Sequence, residues 1–247
     1  MKASAIEFRL RVVIIAGIVT LGYWAPWIEA WGIGRRNSLL EGLALELSRL
    51  GLLPFMAAVP VVIVLAALIA AKAVFLRVWG TAYLGTFKVN HGQMKAGAVL
   101  ADGPYRYMRN PLYLGTWCMV AAMAFLMPVS GALFALVLIT VFQTRLILAE
   151  EAFLSVQLGE CYRAYLRDVP RLFPHLHTRL LSTGRKPHWL RAVLAEICPI
   201  GVFLTLACLS WSYNNGLMVR AIVVSFGVSL VVRAFLTENM QQTTLPE

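Results

Sequence analysis

A run of 35 residues without a charged side chain, Asn110–Thr144, constrains the fold more than any other feature of this sequence. As one straight helix it would measure about 52 Å, whereas a span crosses only about 30 Å of hydrocarbon. Pro128 and Gly131 lie near its middle, where proline and glycine can end one helix and begin another. The run therefore predicts a transmembrane hairpin with helices at about 112–127 and 131–149.

Other uncharged runs predict further spans in a chain that is 60% hydrophobic. A basic N-terminus before an apolar run is also typical of a signal peptide, but no small-residue cleavage site follows, so we expect an uncleaved first span. The sequence therefore predicts an all-α, polytopic membrane helix bundle with about six transmembrane helices and a central helical hairpin. The four additional runs are Val12–Ile28, Leu50–Ala71, Ile197–Val219 and Ala221–Val232, the last two turning at Asn214-Asn215-Gly216.

The sequence has 22 Lys+Arg against 12 Asp+Glu. Many of the basic residues lie in two long segments on one predicted side of the membrane. The positive-inside rule makes that side cytoplasmic. The basic excess is thus explained by topology and by contact with anionic membrane lipids, and no segment resembles a soluble nucleic-acid-binding module. The basic residues are Lys72, Arg77, Lys88, Lys95, Arg106 and Arg109 in the first segment and Arg163, Arg167, Arg171, Arg179, Arg185, Lys186 and Arg191 in the second.

The cysteines and histidines do not form a metal or disulfide pattern. Cys118, Cys161, Cys198 and Cys208 lack C-x-x-C spacing, so neither a disulfide framework nor a zinc site is expected. His175 and His177 form an isolated H-x-H pair in a loop, a pattern that is more often solvated than metal-bound. No P-loop, G-x-S-x-G or H-E-x-x-H motif occurs either.

Directly before the hairpin, the segment Gly103–Gly115 combines a turn with aromatic and basic residues: Gly-Pro-Tyr-Arg-Tyr-Met-Arg-Asn-Pro-Leu-Tyr-Leu-Gly. Asn110-Pro111 suits a helix start, because Asn is a favoured N-cap and Pro is tolerated in the first turn. By itself the segment is better explained as an interfacial one, with tyrosines in the aromatic belt and arginines setting the topology.

A second cluster, Glu150-Glu151, follows the hairpin at the end of the predicted fourth span. Adjacent carboxylates at the C-terminal end of a membrane helix oppose its dipole and repel each other, which suggests a cationic partner. The alternative is a helix that continues beyond the membrane with solvated charges. Because the hairpin turns at Pro128, we expect Asn110 and Glu150 at similar depth, with room for a cationic ligand between them.

Together with the later pattern Leu158-Gly159-x-x-Tyr162-x-x-Tyr165-x-x-x-Val169-Pro170-Arg171, these segments resemble the isoprenylcysteine carboxyl methyltransferase and phospholipid methyltransferase superfamily of integral-membrane enzymes. The resemblance covers about residues 77–175, with both motifs in order and suitably spaced. It implies S-adenosylmethionine as the cofactor, in a cytoplasm-facing cavity enclosed by the hairpin and its flanking segments. A carboxylate such as Glu150 complements the cofactor's positive charge.

The resemblance also implies individual site residues. Arg109 and Arg145 are implied as residues that orient the acceptor. The family often has Arg-His-Pro where this chain has Arg109-Asn110-Pro111, and an Asn cannot serve there as a general base. The implied cofactor contacts are Asn90, Gly97, Ala98, Val99, Leu100, Tyr105, Asn110, Pro111, Leu112, Tyr113 and Glu150.

The absence of an evident His or Cys base near the motifs favours a carboxylate acceptor, which is already ionised near pH 7. We therefore expect a methyltransferase that acts on a lipidic or amphiphilic carboxylate entering laterally from the bilayer. Alternatives are an amine methyltransferase acting on phospholipid head groups, a non-catalytic membrane protein or small transporter, and a membrane reductase using a nicotinamide cofactor. No G-x-G-x-x-G supports the last of these, and no inverted repeat supports the transporter.

The predicted organisation has three parts. Residues 1–76 hold two N-terminal transmembrane helices, 77–175 form the methyltransferase core, and 176–247 form a linker and a C-terminal transmembrane helix pair. With six spans, both termini and the active site lie on the cytoplasmic side. The oligomeric state stays open.

Overall fold

Helices form wherever the uncharged runs predict them. The structure, a computed structural model, describes residues 2–84, 102–175, 184, 186–212 and 214–242, with side chains to 235, and within those residues it contains no strand. The predicted all-α membrane helix bundle is therefore confirmed.

The N-terminal segment forms three helices: α1 (Ala5–Arg9), α2 (Arg11–Trp24) and α3 (Trp27–Trp31). The hydroxyl of Ser4 accepts a hydrogen bond from the Glu7 N–H at 3.2 Å, and the Glu7 carboxylate accepts one from the Ser4 N–H. This capping box starts α1. The predicted first span, residues 12–28, is interrupted after α2, because the chain turns there before α3 begins.

Helix α4 (Leu39–Arg49) lies outside the predicted spans. It is amphipathic, and Leu40 and Ala44 are buried on its inner face. The N–H of Leu39 donates to the carbonyl of Met127 at 2.8 Å, so α4 docks on the turn of the central hairpin. The spans were predicted from runs without charged residues. Because α4 carries charged residues on its outer side, that criterion does not predict it.

Helix α5 (Phe55–Leu84) is longer than the uncharged run Leu50–Ala71. It continues through Lys72 and Arg77, so the first basic segment begins inside a helix. The boundary predicted between residues 76 and 77 falls inside this helix. The extension matters for the site, because it carries Arg77 into the helix bundle.

The central hairpin has the predicted turn at Pro128, between α6 (Pro111–Ala124) and α7 (Val129–Asp168). Forty residues of helix measure about 60 Å, twice the hydrocarbon thickness, so α7 extends well beyond a bilayer. Its helical geometry is interrupted at Gly159, where φ is 58° and ψ is −135°. That break redirects the end of α7 toward the start of α6.

Helix α2 packs against α7 where Gly22 faces Gly131. A Cβ added at Gly131 would clash with the carbonyl oxygen of Gly22, and one added at Gly22 would lie 2.8 Å from the sulfur of Met127. Two glycines allow the backbones to meet, as is common between membrane helices. The hairpin is thereby held against the N-terminal helices.

The C-terminal segment begins with α8 (Trp189–Ala195) and α9 (Ile197–Leu204), which meet at Glu196. A π-helical turn and a 3₁₀ turn extend α9 to Ser212. The chain bends by 68° between α8 and this extended α9. The last helix, α10 (Asn215–Gln242), starts at the predicted turn, where the Asn214 side chain accepts a hydrogen bond from the Leu217 N–H at 2.9 Å.

Three of the described helices are individually long and apolar enough to cross a membrane: α5, α7 and the Asn215–Phe235 part of α10. The bent pair α8 and α9 makes up to four, and α2 and α6 are shorter apolar helices. These helices support an integral membrane protein. The count of six spans and the orientation of the bundle stay predictions.

Candidate active site

The hairpin brings the two sequence motifs into contact. Tyr113, in the first turn of α6, donates a hydrogen bond from its hydroxyl to Oε2 of Glu150 on α7 at 2.8 Å. Pro111 occupies the first turn of α6, as the Asn-Pro pair predicted. The predicted juxtaposition of the start of α6 with Glu150 is therefore present in the structure.

The adjacent carboxylates Glu150 and Glu151 have different partners, because neighbouring residues on a helix point about 100° apart. Glu151 is buried and accepts from Arg171 Nη2 at 2.7 Å and Nε at 3.2 Å. Arg109 Nε lies 3.4 Å from the same carboxylate. The hydrogen bond to Glu151 raises the pKa of Arg171 above its usual value. The charge of Glu151 is thus balanced within the protein.

Glu150 is in a different position. It is half-buried, and Tyr113 is its only hydrogen-bonding partner among the described residues, through Oε2 alone. A carboxylate at the edge of an apolar bundle is costly unless a cation or further donors complement it. The Oε1 atom can therefore accept a bond from a cationic group. The positive charge of Arg11, at the start of α2, also acts on this carboxylate.

The end of the second motif folds back onto the first. The N–H of Arg109 donates to the carbonyl of Pro170 at 2.9 Å, and the Asn110 side chain donates to the carbonyl of Arg171 at 3.1 Å. The Asn110 side chain therefore does not cap α6, although Asn110 occupies the N-cap position. Its amide instead fastens the segment after α7 to the start of α6.

Tyr105 belongs to a short 3₁₀ helix, Gly103–Arg106, and is buried. Its hydroxyl lies 3.4 Å from the carbonyl of Gly80 on α5, and its own carbonyl accepts from the Tyr165 hydroxyl at 2.8 Å. Burial, reinforced by the charge of Glu150, raises the pKa of Tyr105 well above its usual value. Tyr105 is therefore a neutral hydrogen-bond donor that joins α5 to the second motif.

Arg145 lies apart from the contacts that Tyr113, Glu150 and Glu151 make. It is five residues from Glu150, about 140° around the helix, and pairs with the Glu7 carboxylate at 2.9 Å. Arg109 lies beside Glu151, but its side chain is only 11% exposed, and its guanidinium donates a hydrogen bond to the carbonyl of Leu166 at 2.9 Å. Five of the residues implied as cofactor contacts lie outside the described residues: Asn90, Gly97, Ala98, Val99 and Leu100.

A second polar cluster beside the motifs was missed by the sequence reasoning. Arg77 on α5 forms an ion pair with Glu196 at 2.6 Å, and the Glu196 side chain is fully buried. The sequence feature that could have indicated this cluster is Glu196, a single carboxylate directly before the uncharged run that begins at Ile197. Ionisable residues inside membrane helices are rare and normally paired, so a partner within another span could have been sought.

Comparison with known proteins gives one match. Residues 61–160, less than half of the chain, match the family model described as phospholipid methyltransferase. No curated protein and no solved structure matches the chain. The matched residues include α6 and most of α5 and α7, with both contacting residues Tyr113 and Glu150. Residues 61–160 are thus similar to the phospholipid methyltransferase family, part of the membrane methyltransferase superfamily that also contains the isoprenylcysteine carboxyl methyltransferases.

Proposed function

We propose that this protein is an S-adenosylmethionine-dependent methyltransferase that methylates the carboxylate of a lipidic or amphiphilic acceptor at the membrane. The family match supports a membrane methyltransferase. The observation that carries the cofactor assignment is the state of Glu150, whose Oε1 has no partner among the described residues while Glu151 is fully engaged.

In this proposal Glu150 binds the cationic part of the cofactor, and the Tyr113 hydroxyl fixes the orientation of the carboxylate. Asn110 and Tyr105 hold the walls of the site in place through their contacts with the second motif. When bound, S-adenosylmethionine supplies a reactive methyl group on a positively charged sulfur. The apolar hairpin excludes water, which strengthens the interaction of Glu150 with that charge.

The carboxylate acceptor is favoured by the side chains that surround the pair Glu150-Glu151. The described polar groups that contact it come from Tyr113, Asn110, Arg109 and Arg171, none of which accepts a proton readily at neutral pH. A carboxylate acceptor needs no base, because it is already ionised. Arg109, which lies beside Glu151, stays the proposed orienting residue for the acceptor's negative charge, and Arg145 would contribute only after leaving its pair with Glu7.

The second candidate is methylation of a phospholipid amine, which the name of the matched family favours. The two candidate reactions give methylated products that differ in their stability to alkali. Methyl esters release methanol in mild alkali, whereas N-methyl groups do not.

The test uses membranes that contain the protein, incubated with S-adenosylmethionine carrying a labelled methyl group. The lipid and protein fractions are separated and then treated with alkali. Carboxyl methylation predicts label that depends on the protein and that alkali releases as volatile methanol. Amine methylation predicts label that is in the phospholipid fraction before the treatment and stays non-volatile after it, because alkali cleaves the acyl esters but not the N-methyl bond. Purified protein should also bind S-adenosylmethionine in calorimetry, and a lack of binding would contradict the enzyme class.

A further inference from the structure

A bidentate ion pair lies inside the bundle next to the proposed site. Arg77 Nε donates to Glu196 Oε2 at 2.6 Å, and Nη2 donates to Oε1 at 3.0 Å. The Thr81 hydroxyl also donates to Oε1 at 2.6 Å. The side chains of Arg77 and Glu196 are 12% and 0% exposed. A buried pair contributes little net stability, because desolvation offsets the attraction, so its geometry needs another explanation.

The remaining nitrogen of Arg77 connects this pair to the first motif. Nη1 donates to the hydroxyl oxygen of Thr116 at 2.5 Å, and that hydroxyl donates to the carbonyl of Leu112 at 3.0 Å. Leu112 lies between Pro111 and Tyr113 in the proposed cofactor segment. A continuous chain of hydrogen bonds therefore runs from Glu196 to the backbone of that segment.

Gly115, the last residue of the first motif, makes room for this connection. A Cβ added at Gly115 would lie 2.6 Å from Cγ of Arg77 and 3.3 Å from the carbonyl oxygen of Ala73. The Arg77 side chain thus crosses α6 in the space that a side chain at residue 115 would fill. One turn further along α5, the carbonyl of Gly80 faces the Tyr105 hydroxyl.

Glu196 comes from outside the segment that matches the family model. It occupies the break where α8 and α9 meet at 68°. Arg233 of α10 donates to the neighbouring carbonyl of Ala195 at 3.1 and 3.2 Å. Contacts at Ala195 and Glu196 therefore join α8 to α10 and to α5.

We propose that Arg77 is a positioning residue for the cofactor site, held in place by Glu196 of the C-terminal segment. Glu196 fixes the guanidinium, the guanidinium fixes Thr116, and Thr116 fixes the backbone at Leu112. This places Tyr113, and through it Glu150, at the required position. The proposal rests on the proposed function, since its readout is binding of S-adenosylmethionine.

The test avoids the charged residues, whose removal leaves a buried unpaired charge. Thr116→Val removes the hydroxyl while keeping the shape of the side chain, and Thr116→Ser restores the hydroxyl. Gly115→Ala displaces Arg77 without altering any polar group. The matched control is Gly17→Ala in α2, also a helical glycine, where a Cβ would meet nothing within 4 Å.

The purified full-length variants are compared in calorimetric binding of S-adenosylmethionine and in thermal unfolding. Thr116→Val and Gly115→Ala are expected to bind about ten-fold more weakly at temperatures where they remain folded. Thr116→Ser and Gly17→Ala are expected to bind like the wild type. Wild-type binding by Thr116→Val, with only a lower unfolding temperature, would show a purely structural role and overturn the proposal.

Failure of this inference is distinguishable from failure of the proposed function. If the wild type does not bind S-adenosylmethionine, the function and the inference both fall. If the wild type binds and Thr116→Val binds equally well, the inference alone falls. Should Gly115→Ala fail to fold, the comparison of Thr116→Val with Thr116→Ser still decides the question.

Discussion

The hydroxyl of Tyr113 donates a 2.8 Å hydrogen bond to Glu150 across the two helices of the central hairpin. This contact joins the first motif to the second and fixes a carboxylate whose described hydrogen bond comes from a tyrosine, with the positive charge of Arg11 also acting on it. Glu151, the next residue, pairs with Arg171 instead. Two carboxylates that look equivalent in the sequence thus have separate roles, one in a proposed ligand site and one in holding the protein together.

Replacement of Glu150 by Gln should weaken S-adenosylmethionine binding by about ten-fold or more, because a charged acceptor is replaced by a neutral one. Calorimetric titration of the purified protein measures the change. The matched control is Glu160→Gln, where the carboxylate is 75% exposed and pairs only with Arg163 in the described structure. Equal affinities for Glu150→Gln and the wild type would remove Glu150 from the cofactor site.

Replacement of Glu151 by Gln should destabilise the protein by about 3 kcal/mol, because it leaves the buried Arg109 without its counter-charge. Thermal unfolding in detergent, followed by circular dichroism, measures the loss. Arg171→Gln should have a smaller effect, since the Arg171 side chain is 46% exposed. If Glu151→Gln unfolds at the wild-type temperature, the pair with Arg109 contributes no stability.

Docking of the N-terminal helix on Arg145 should depend on pH. The backbone hydrogen bond from Ser4, followed by the hydrogen bond from Arg145, lowers the pKa of Glu7 below its usual 4.5. A lowered pKa in the folded state means that the contact stabilises the fold above about pH 4.5 and is lost as the pH falls through the folded pKa. Amide protection factors for residues 5–9 should therefore be constant near neutrality and fall in acid.

The variant Glu7→Gln is the control for that titration, because it keeps the side-chain shape and has no ionisable group. Its protection factors should be lower than those of the wild type at neutral pH and should lack the acid-dependent loss. The same pH profile in both proteins would mean that another group controls the docking of α1.

Replacement of Gly131 by Ala should destabilise the bundle by about 1–3 kcal/mol, because the added methyl group overlaps the carbonyl of Gly22 and forces α2 away from α7. The unfolding temperature in detergent reports this loss. Gly17→Ala, with open space around the new methyl group, should be neutral or slightly stabilising. Similar unfolding temperatures for the two variants would contradict the close contact between α2 and α7.

Much of the fold follows from the sequence alone, because charges are excluded from hydrocarbon wherever they fall in a chain. The uncharged run Asn110–Thr144 predicted the hairpin, and Pro128 predicted its turn. The predicted turn Asn214-Asn215-Gly216 lies at the start of the last helix, which already begins at Asn215. Asn110-Pro111 predicted the start of α6. These features depend on local composition and on the length of a span, which can be read without knowledge of packing.

Only the tertiary structure decided which charged groups are paired. Arg77 and Glu196 are separated by 119 residues, and Arg145 and Glu7 by 138. Their contacts depend on how far α5 extends, where the C-terminal segment bends, and how α1 packs against α7. A side chain's polarity shows that it needs a partner inside a bundle, but helix packing determines which partner comes within reach. For the same reason the sequence marked Glu150 and Glu151 together, whereas the structure separates them by the 100° that one residue turns on a helix.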